Sequence, residues 1–377
     1  MTATLDLSQL DCAGFTRELG ELRRELDAAL GAEDVAHLRK LERWGRACTA
    51  FGLATAWIVP NPLSAVAFAL GRNTRWVLAH HIAHRGYDRV PGVPARYTSK
   101  VFARGTRRLV DWLDWVKPEA WVYEHNVRHH SHTGETRDPD LIERNTEMLR
   151  DWRGPRALRY AGLGLLSVMW RPGFYGPNAL RVWQERGTPR EDEGGRYDWP
   201  TILRSITDRE FLATGALPYA AVHFVALPLL YAPLGPWAVW SAFWNSVLGD
   251  VLTNIQSLAV VLPNHCGDDL YRYDDRPANR SEATVRQVIS STNYATGGDL
   301  LGWVQLWLNY QIEHHLWPDL PMLKYKQAAP RVKELCARYG VPYVQENLWA
   351  RIRKMSEVVV GTSAMRRMPT RDAAEAA

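Results

Sequence analysis

Cysteine is scarce in this chain of 377 residues: Cys12, Cys48, Cys266 and Cys336 are the only four, far apart and without a Cys-x-x-Cys pair. That excludes a disulfide framework and a zinc ribbon, and it suits a reducing compartment. Lysine is nearly as rare, at seven of the 46 basic residues; the arginine excess and abundant alanine fit a GC-rich, bacterial genome. No basic stripe with interleaved aromatics is present, so the net charge of +5 does not describe a nucleic-acid binder. It fits a solvated face near an anionic membrane surface. Repeats and long low-complexity blocks are also absent, which argues for one main catalytic unit.

Long apolar runs are few, and the mean hydropathy of −0.30 is low for a polytopic protein. One region stands out. From Phe211 to Gly267 the only charged residue is Asp250, enough for two helices of about 20 residues with a turn near Pro233 to Pro236, a transmembrane hairpin. Residues 47 to 71 are uncharged but contain Pro60 and Pro62, which break a single helix into two arms. The second arm runs on through Trp76 and Ala79, interrupted by Arg72 and Arg75. Residues 157 to 170 are too short to span and suit the membrane interface. Residues 1–46 read as an amphipathic helical segment with Leu19, Leu22 and Leu26 at helical spacing. Residues 47–350 form the catalytic domain and residues 351–377 a helix end and disordered tail. Residues 171 to 200, rich in Gly, Pro and charge, are expected to form a loop.

Ten of the twelve histidines fall into short clusters. His80 and His84 lie four apart, as do His125 and His129, so each pair can share one face of a helix; His130, His314 and His315 follow the same pattern of closely spaced rings. Neutral imidazole suits a redox-active first-row metal that must stay open to dioxygen. A lone pair of this kind is more often an accident of packing than a ligand pair, but three spaced clusters reverse those odds. His37 and His223 stand apart and read as ordinary packing residues.

The boxes His80-His81-Ile82-Ala83-His84, His125-Asn126-Val127-Arg128-His129-His130 and Gln311-Ile312-Glu313-His314-His315 resemble the three histidine boxes of the membrane fatty acid desaturase family. The third is the most specific: its surroundings, Leu308 to Pro318, are similar to front-end and related acyl-lipid desaturases, in which glutamine replaces the first histidine. Thr133-Gly134-Glu135 and Asp138-Pro139-Asp140-Leu141 also look like the family, and the resemblance runs from about residue 47 to 345. It implies a mainly α fold, with two transmembrane helical hairpins and a cytosolic helical cap that carries a diiron site. It further implies the use of O2 and two electrons to remove hydrogens from an unactivated alkyl chain.

The ligands implied are His80, His84, His125, His129, His130, His265, His314 and His315, with His265 as the extra histidine between boxes two and three. His81 is an alternative to His80 or a supporting residue. Further supporting or alternative positions are His132, Gln311, Glu124, Asp138, Asp140, Asp268 and Glu313, because a ligating imidazole donates its other N–H to a carboxylate or carbonyl. Among the seventeen tryptophans, Trp112, Trp115, Trp121, Trp303 and Trp307 lie near boxes two and three and are candidates for substrate-tunnel walls. Asp250 joins them as an ionisable residue in an uncharged span. No His-Pro-Gly-Gly heme motif is fused here, so electrons come from a separate donor, such as ferredoxin or a b-type cytochrome with its reductase.

The expected substrate is an acyl chain or lipid, and the expected location the bacterial inner membrane with the site on the cytoplasmic face. A hydroxylase or ketolase of a hydrocarbon or natural-product intermediate uses similar boxes and is the alternative. A membrane heme electron carrier is the remote third reading, since it needs histidines on facing spans and not adjacent pairs.

Overall fold

A computed structural model describes residues 5–193 and 198–370 and is helical almost throughout. α1 (Cys12–Ala28) starts at Asp11, whose carboxylate accepts the Gly14 N–H at 2.8 Å, a side-chain N-cap. It buries Phe15, Leu19, Leu22 and Leu26 in the main core. α2 (Ala32–Thr55) and α3 (Pro62–Ala83) form a hairpin that turns where Pro60 and Pro62 break the helix, as expected. Asn61 caps α3 through the Ser64 N–H, with Pro62 in the first turn.

α4 begins at Pro118–Trp121, widens into a π-helix over Val122–His129 and closes as His130–His132. α5 (Arg156–Trp170) passes through a π-helical stretch, Arg171–Tyr175, into α6 (Gly176–Glu185). Among the described residues two helical stretches are long and apolar enough to cross a membrane, α7 (Arg209–Leu234) and the stretch Pro236–Asn264 that holds α8 (Pro236–Val261); neither α2 nor α3, the arms of the first hairpin expected to span, is among them. Between α7 and α8 Gly235 has φ 96°, a left-handed conformation open to glycine. α9 (Arg280–Ile289), α10 (Asp299–Val304), α11 (Gln311–Leu316), α12 (Met322–Tyr339) and α13 (Leu348–Val359) complete the helices that matter here. Strand β1 (Tyr271–Arg272) pairs in parallel with β2 (Arg366–Arg367).

The tips of the two hairpins are joined. Ser241 Oγ and Asn245 Nδ2 on α8 donate to the Ala56 carbonyl at 2.7 and 2.8 Å, Trp237 Nε1 donates to Ile58 O at 2.9 Å, and Asn245 Oδ1 accepts the Asn61 N–H. These bonds satisfy backbone groups that the end of α2 leaves without a helical partner. Gly249 permits the close approach of α3 to α8, for a Cβ there would sit 2.8 Å from the Phe68 Cβ; small residues serve helix contacts in lipid in the same way. Arg72 of α3 donates to Ser246 of α8 and lies 3.7 Å from an Asp250 oxygen. The charge that interrupts one apolar arm is thereby neutralised by the charge in the other. Both hairpins thus have their turns at one end, and their opposite ends, at His80 and His265, carry histidine.

Several expectations change. The divisions expected after residues 46 and 350 fall inside α2 and α13, and the leucines of α1 belong to the same core cluster as Trp76 and Ile312. The loop expected over residues 171 to 200 is helical through Glu185, because Pro172 and Pro177 sit near starts of helical stretches where the missing N–H is tolerated; residues 194–197 lie outside the described residues. The disordered tail expected within residues 351–377 is instead ordered to residue 370, held by Arg366 N–H donating to Leu270 O and Met368 N–H to Arg272 O. The last seven residues lie outside the description.

Candidate metal centre

Eight imidazoles from four separate segments meet at the ends of the two hairpins. His80 and His84 come from the last turn and cap of α3, four residues apart on one face. α4 supplies three rings, because i→i+5 bonding widens its turn and places residues four and five apart on the same side. His125 is accordingly 5.2 Å from His129 and 5.0 Å from His130, centroid to centroid. His265 follows the turn that ends α8, and His314 and His315 sit in the short buried helix α11.

The rings sort into two groups. The ligand atoms of His80, His84, His125 and His314 lie within 4.8 Å of one another, as do those of His129, His265 and His315. His130 stands between the groups, 4.4 Å from His84 and 4.3 Å from His315. His80 Nε2 is 2.9 Å from His314 Nε2 and 3.3 Å from His125 Nε2. Burial, reinforced by the neighbouring rings, holds His125, His130, His314 and His315 well below the ordinary histidine pKa. Neutral rings keep a lone pair each, and both nitrogens of His130 and Nε2 of His84 and His315 have no hydrogen-bond partner although buried. A cluster of buried nitrogen acceptors facing one another is costly, and metal cations are the species that relieve it. The donor set, nitrogen-rich and carboxylate-poor, fits first-row metals such as iron.

Surrounding groups fix the rings. His129 Nδ1 meets Asp138 Oδ1 at 2.9 Å, His265 Nδ1 meets the Ser290 carbonyl at 3.1 Å, His315 Nδ1 meets Gln287 Oε1 at 2.9 Å and His314 Nδ1 meets the Tyr325 hydroxyl at 3.2 Å. Each contact turns the opposite nitrogen inward. Burial alone disfavours a charged His129, but Asp138 and Asp140 outweigh it and its pKa is raised. Asp140 lies 4.0 Å from His125 Nδ1. Burial and the nearby Asp138 carboxylate push Asp140 to about 6, and burial with Asp140 raises its neighbour Glu124 well above the carboxylate range. Gln311 Nε2 is 2.8 Å from His265 Nε2.

Other expected residues lie elsewhere. His81 stacks on His80 at 4.8 Å and faces Tyr325, outside both groups. His132 pairs with Glu135 at 3.4 Å. Glu313 bonds Asn293 and Tyr343 and no imidazole, and burial pushes its pKa to about 7. Asp268 is exposed and offers only its backbone carbonyl, to Arg366, so it does not support the site; three residues from His265, the chain has already turned to the surface.

The expected tunnel walls also change. A narrow cavity of about 30 Å³ beside the rings is lined by His80, His125, His129, His265 and Gln311 and by apolar groups, chiefly Trp76, Ile142, Trp170, Phe174 and Leu262. Trp121 stacks on His125 at 4.6 Å, with Trp112 behind it at 5.6 Å; neither lines this cavity. Trp115 packs on Tyr219, Trp303 donates to Thr74, and Trp307 packs on His37. Asp250 is occupied by Arg72, Tyr219 and Trp115. Closeness in sequence does not decide which side chains reach the cavity: Trp121 lies on α4 itself and packs against a ring of box two, while Trp115, Trp303 and Trp307 pack on Tyr219, Thr74 and His37. Gln287, Ser290 and Tyr325 carried no spacing signal at all.

The profile of the family described as fatty acid desaturase matches residues 55–347. The chain is 25% identical over 356 residues to the NADPH-dependent stearoyl-CoA 9-desaturase of Mycobacterium tuberculosis, covering 89% of this chain and 76% of that protein. It is 49% identical over 304 residues to fatty acid desaturase 3 of Bos taurus, covering 77% of this chain and 59% of the bovine protein. To the acyl-lipid (7-3)-desaturase of Rebecca salina it is 29% identical over 262 residues, 64% of this chain and 54% of that one.

Proposed function

The chain belongs to the fatty acid desaturase family and is an oxidoreductase, and from that premise we propose that it is an O2-dependent diiron desaturase that introduces a double bond into an acyl or lipid-like chain. The observation that carries this is the convergence of eight imidazoles beside an apolar cavity, seven of them in two groups and His130 between. His80, His84, His125 and His314 would hold one iron, His129, His265 and His315 the other, and His130 stands within reach of both. Bound there, the metal pair supplies the reduction of dioxygen and the removal of two hydrogens from adjacent methylenes, with two electrons from a separate donor.

The protein's own residues do the rest. Trp76, Ile142, Trp170, Phe174 and Leu262 give the chain an apolar berth against the faces of His80, His125, His129 and His265, which orients one methylene pair and excludes water. Asp138, Ser290, Gln287 and Tyr325 hold the rings in one tautomer. The hairpin turns at one end and the histidines at the other support a membrane placement in which the tips point inward. α3, with 22 residues at about 1.5 Å each, is roughly 33 Å long, close to the hydrocarbon thickness of about 30 Å. The arginine-rich segments around boxes one and two then face the cytoplasm by the positive-inside rule.

Lipids and extracts from a host expressing the chain, with and without His315→Ala, test this by mass spectrometry. New products lighter by two hydrogens, absent with the variant, are expected. An unchanged profile with a reducing partner supplied contradicts the desaturase reading.

A further inference from the structure

The cavity beside the histidines, about 30 Å³, has room for about one water molecule and none for an alkyl chain. A wall must therefore move. Trp76 stands within the unbroken helix α3, and Leu262 is buried where α8 ends. Trp170 and Phe174 come from a different kind of backbone: Met169 leaves the helical region at φ −111°, ψ 15°, and residues 171–175, with Pro172 and Gly173 among them, are π-helical. Irregular turns of this kind mark places where a helix can change conformation.

This wall also separates the cavity from the outside. Leu165 and Met169 are 68% and 47% exposed, whereas the adjacent Trp170 is 2% exposed. One residue therefore divides an exposed apolar face from the chamber of imidazoles. The Trp170 indole N–H has no hydrogen-bond partner, and its ring stacks on Tyr175 at 4.5 Å. Arg171, next in the chain, is by contrast fixed: its side chain bonds Asp114, Asn73 and Ser257, and its N–H bonds Asn254. The arrangement is an anchored pivot beside a ring held by packing alone, without a hydrogen bond. The neighbouring cleft that reaches Asp138 is lined by Arg128, Arg137, Arg144, Arg181 and Arg190, a poor route for bare methylene.

Resting on the desaturase reading, we propose that Trp170 and Phe174 form a side port through which the alkyl chain of a bilayer-dissolved lipid enters the cavity. The substrate is then a chain already resident in the membrane, admitted past Met169, and not one threaded from the aqueous side. Tyr175 accepts a hydrogen bond from Trp121, which stacks on His125, so movement at the port reaches one ring of the site.

The test uses the full chain in phosphatidylcholine vesicles that contain a phospholipid with a mid-chain diazirine. After photolysis, peptide mass spectrometry should find adducts on Trp170 and Phe174, as well as on lipid-facing Leu165. Labelling confined to exposed apolar residues such as Leu217 and Leu230, or found in the arginine cleft, overturns the port. In turnover, Met169→Arg should raise KM for a vesicle-borne substrate by roughly tenfold with kcat retained, the pattern of lost binding; an unchanged KM also overturns it. Adducts on Trp170 in a protein that forms no double bond would leave the port standing and remove the desaturase reading. Turnover with Trp170 unlabelled does the reverse.

Discussion

Asp138 offers the sharpest perturbation of the proposed site, because it is 2% exposed and both of its oxygens are committed. Oδ1 accepts from His129 Nδ1 at 2.9 Å and from the Asp140 N–H at 2.8 Å, and Oδ2 accepts the Gly134 N–H at 2.9 Å. In Asp138→Asn, an amide NH2 replaces one oxygen and faces an N–H whichever way the side chain is turned. The buried donor left unsatisfied costs about 1–3 kcal/mol, and losing the charge-assisted bond to His129 costs about 1.5–3 kcal/mol. Removing a partner of this kind typically weakens metal binding about 10–100-fold, which is about 1.4–2.7 kcal/mol and agrees with the bond estimate. Chelator competition on purified protein should therefore show iron held about 10–100-fold more weakly. Asp268→Asn makes the same charge change at an exposed residue and should leave affinity unaltered. Equal affinity in Asp138→Asn and the parent, or equal losses in both variants, refutes the reasoning.

Other expectations follow from the ion pairs. Arg72→Ala leaves Asp250 without its cation between two helices and should destabilise by about 3–5 kcal/mol, as buried pairs do when one partner is removed. Adding Asp250→Asn to Arg72→Ala should recover most of that in detergent unfolding, and no recovery would mean the pair is not the cause. Burial opposes the Asp299 carboxylate, but Lys326 and Lys40, each at 2.8 Å, hold it down at about 2. A depressed folded-state pKa gives stability that is complete above the unfolded value near 3.8 and is lost as pH falls toward 2. Asp299→Asn should therefore unfold more easily at pH 7 by about 1 kcal/mol, less than the full shift because solvent screens the group, and the gap should narrow on acidification below pH 4. A gap independent of pH contradicts the assignment.

The histidine clusters were legible because a site that could hold a metal draws on one residue type and leaves it in short, helix-compatible spacing. Pro60 and Pro62 marked the first hairpin turn, and the charge-free stretch around Asp250 marked the second pair of helices. What stayed hidden depends on distance in space. Arg72 reads as an interruption until Asp250, far along the chain, is placed against it. Gln287 and Tyr325 reach His315 and His314 from α9 and α12, elements with no motif of their own. A 3.6-residue period cannot foresee the π-helix that aligns His125, His129 and His130. The tryptophans chosen for nearness in sequence lie off the cavity, while Trp76 and Trp170 line it. The low mean hydropathy of −0.30 reflects charge carried outside the stretch from Phe211 to Gly267, including on α2, where Arg39, Arg43 and Arg46 are exposed.

Iron content per chain, measured on the parent and on single variants from each group of rings, bears most directly on the whole account. The parent should hold two irons, His84→Ala and His265→Ala should each retain one, and His130→Ala should weaken both. One iron or none in the fully loaded parent, or loss of the same single iron in His84→Ala and His265→Ala, contradicts it.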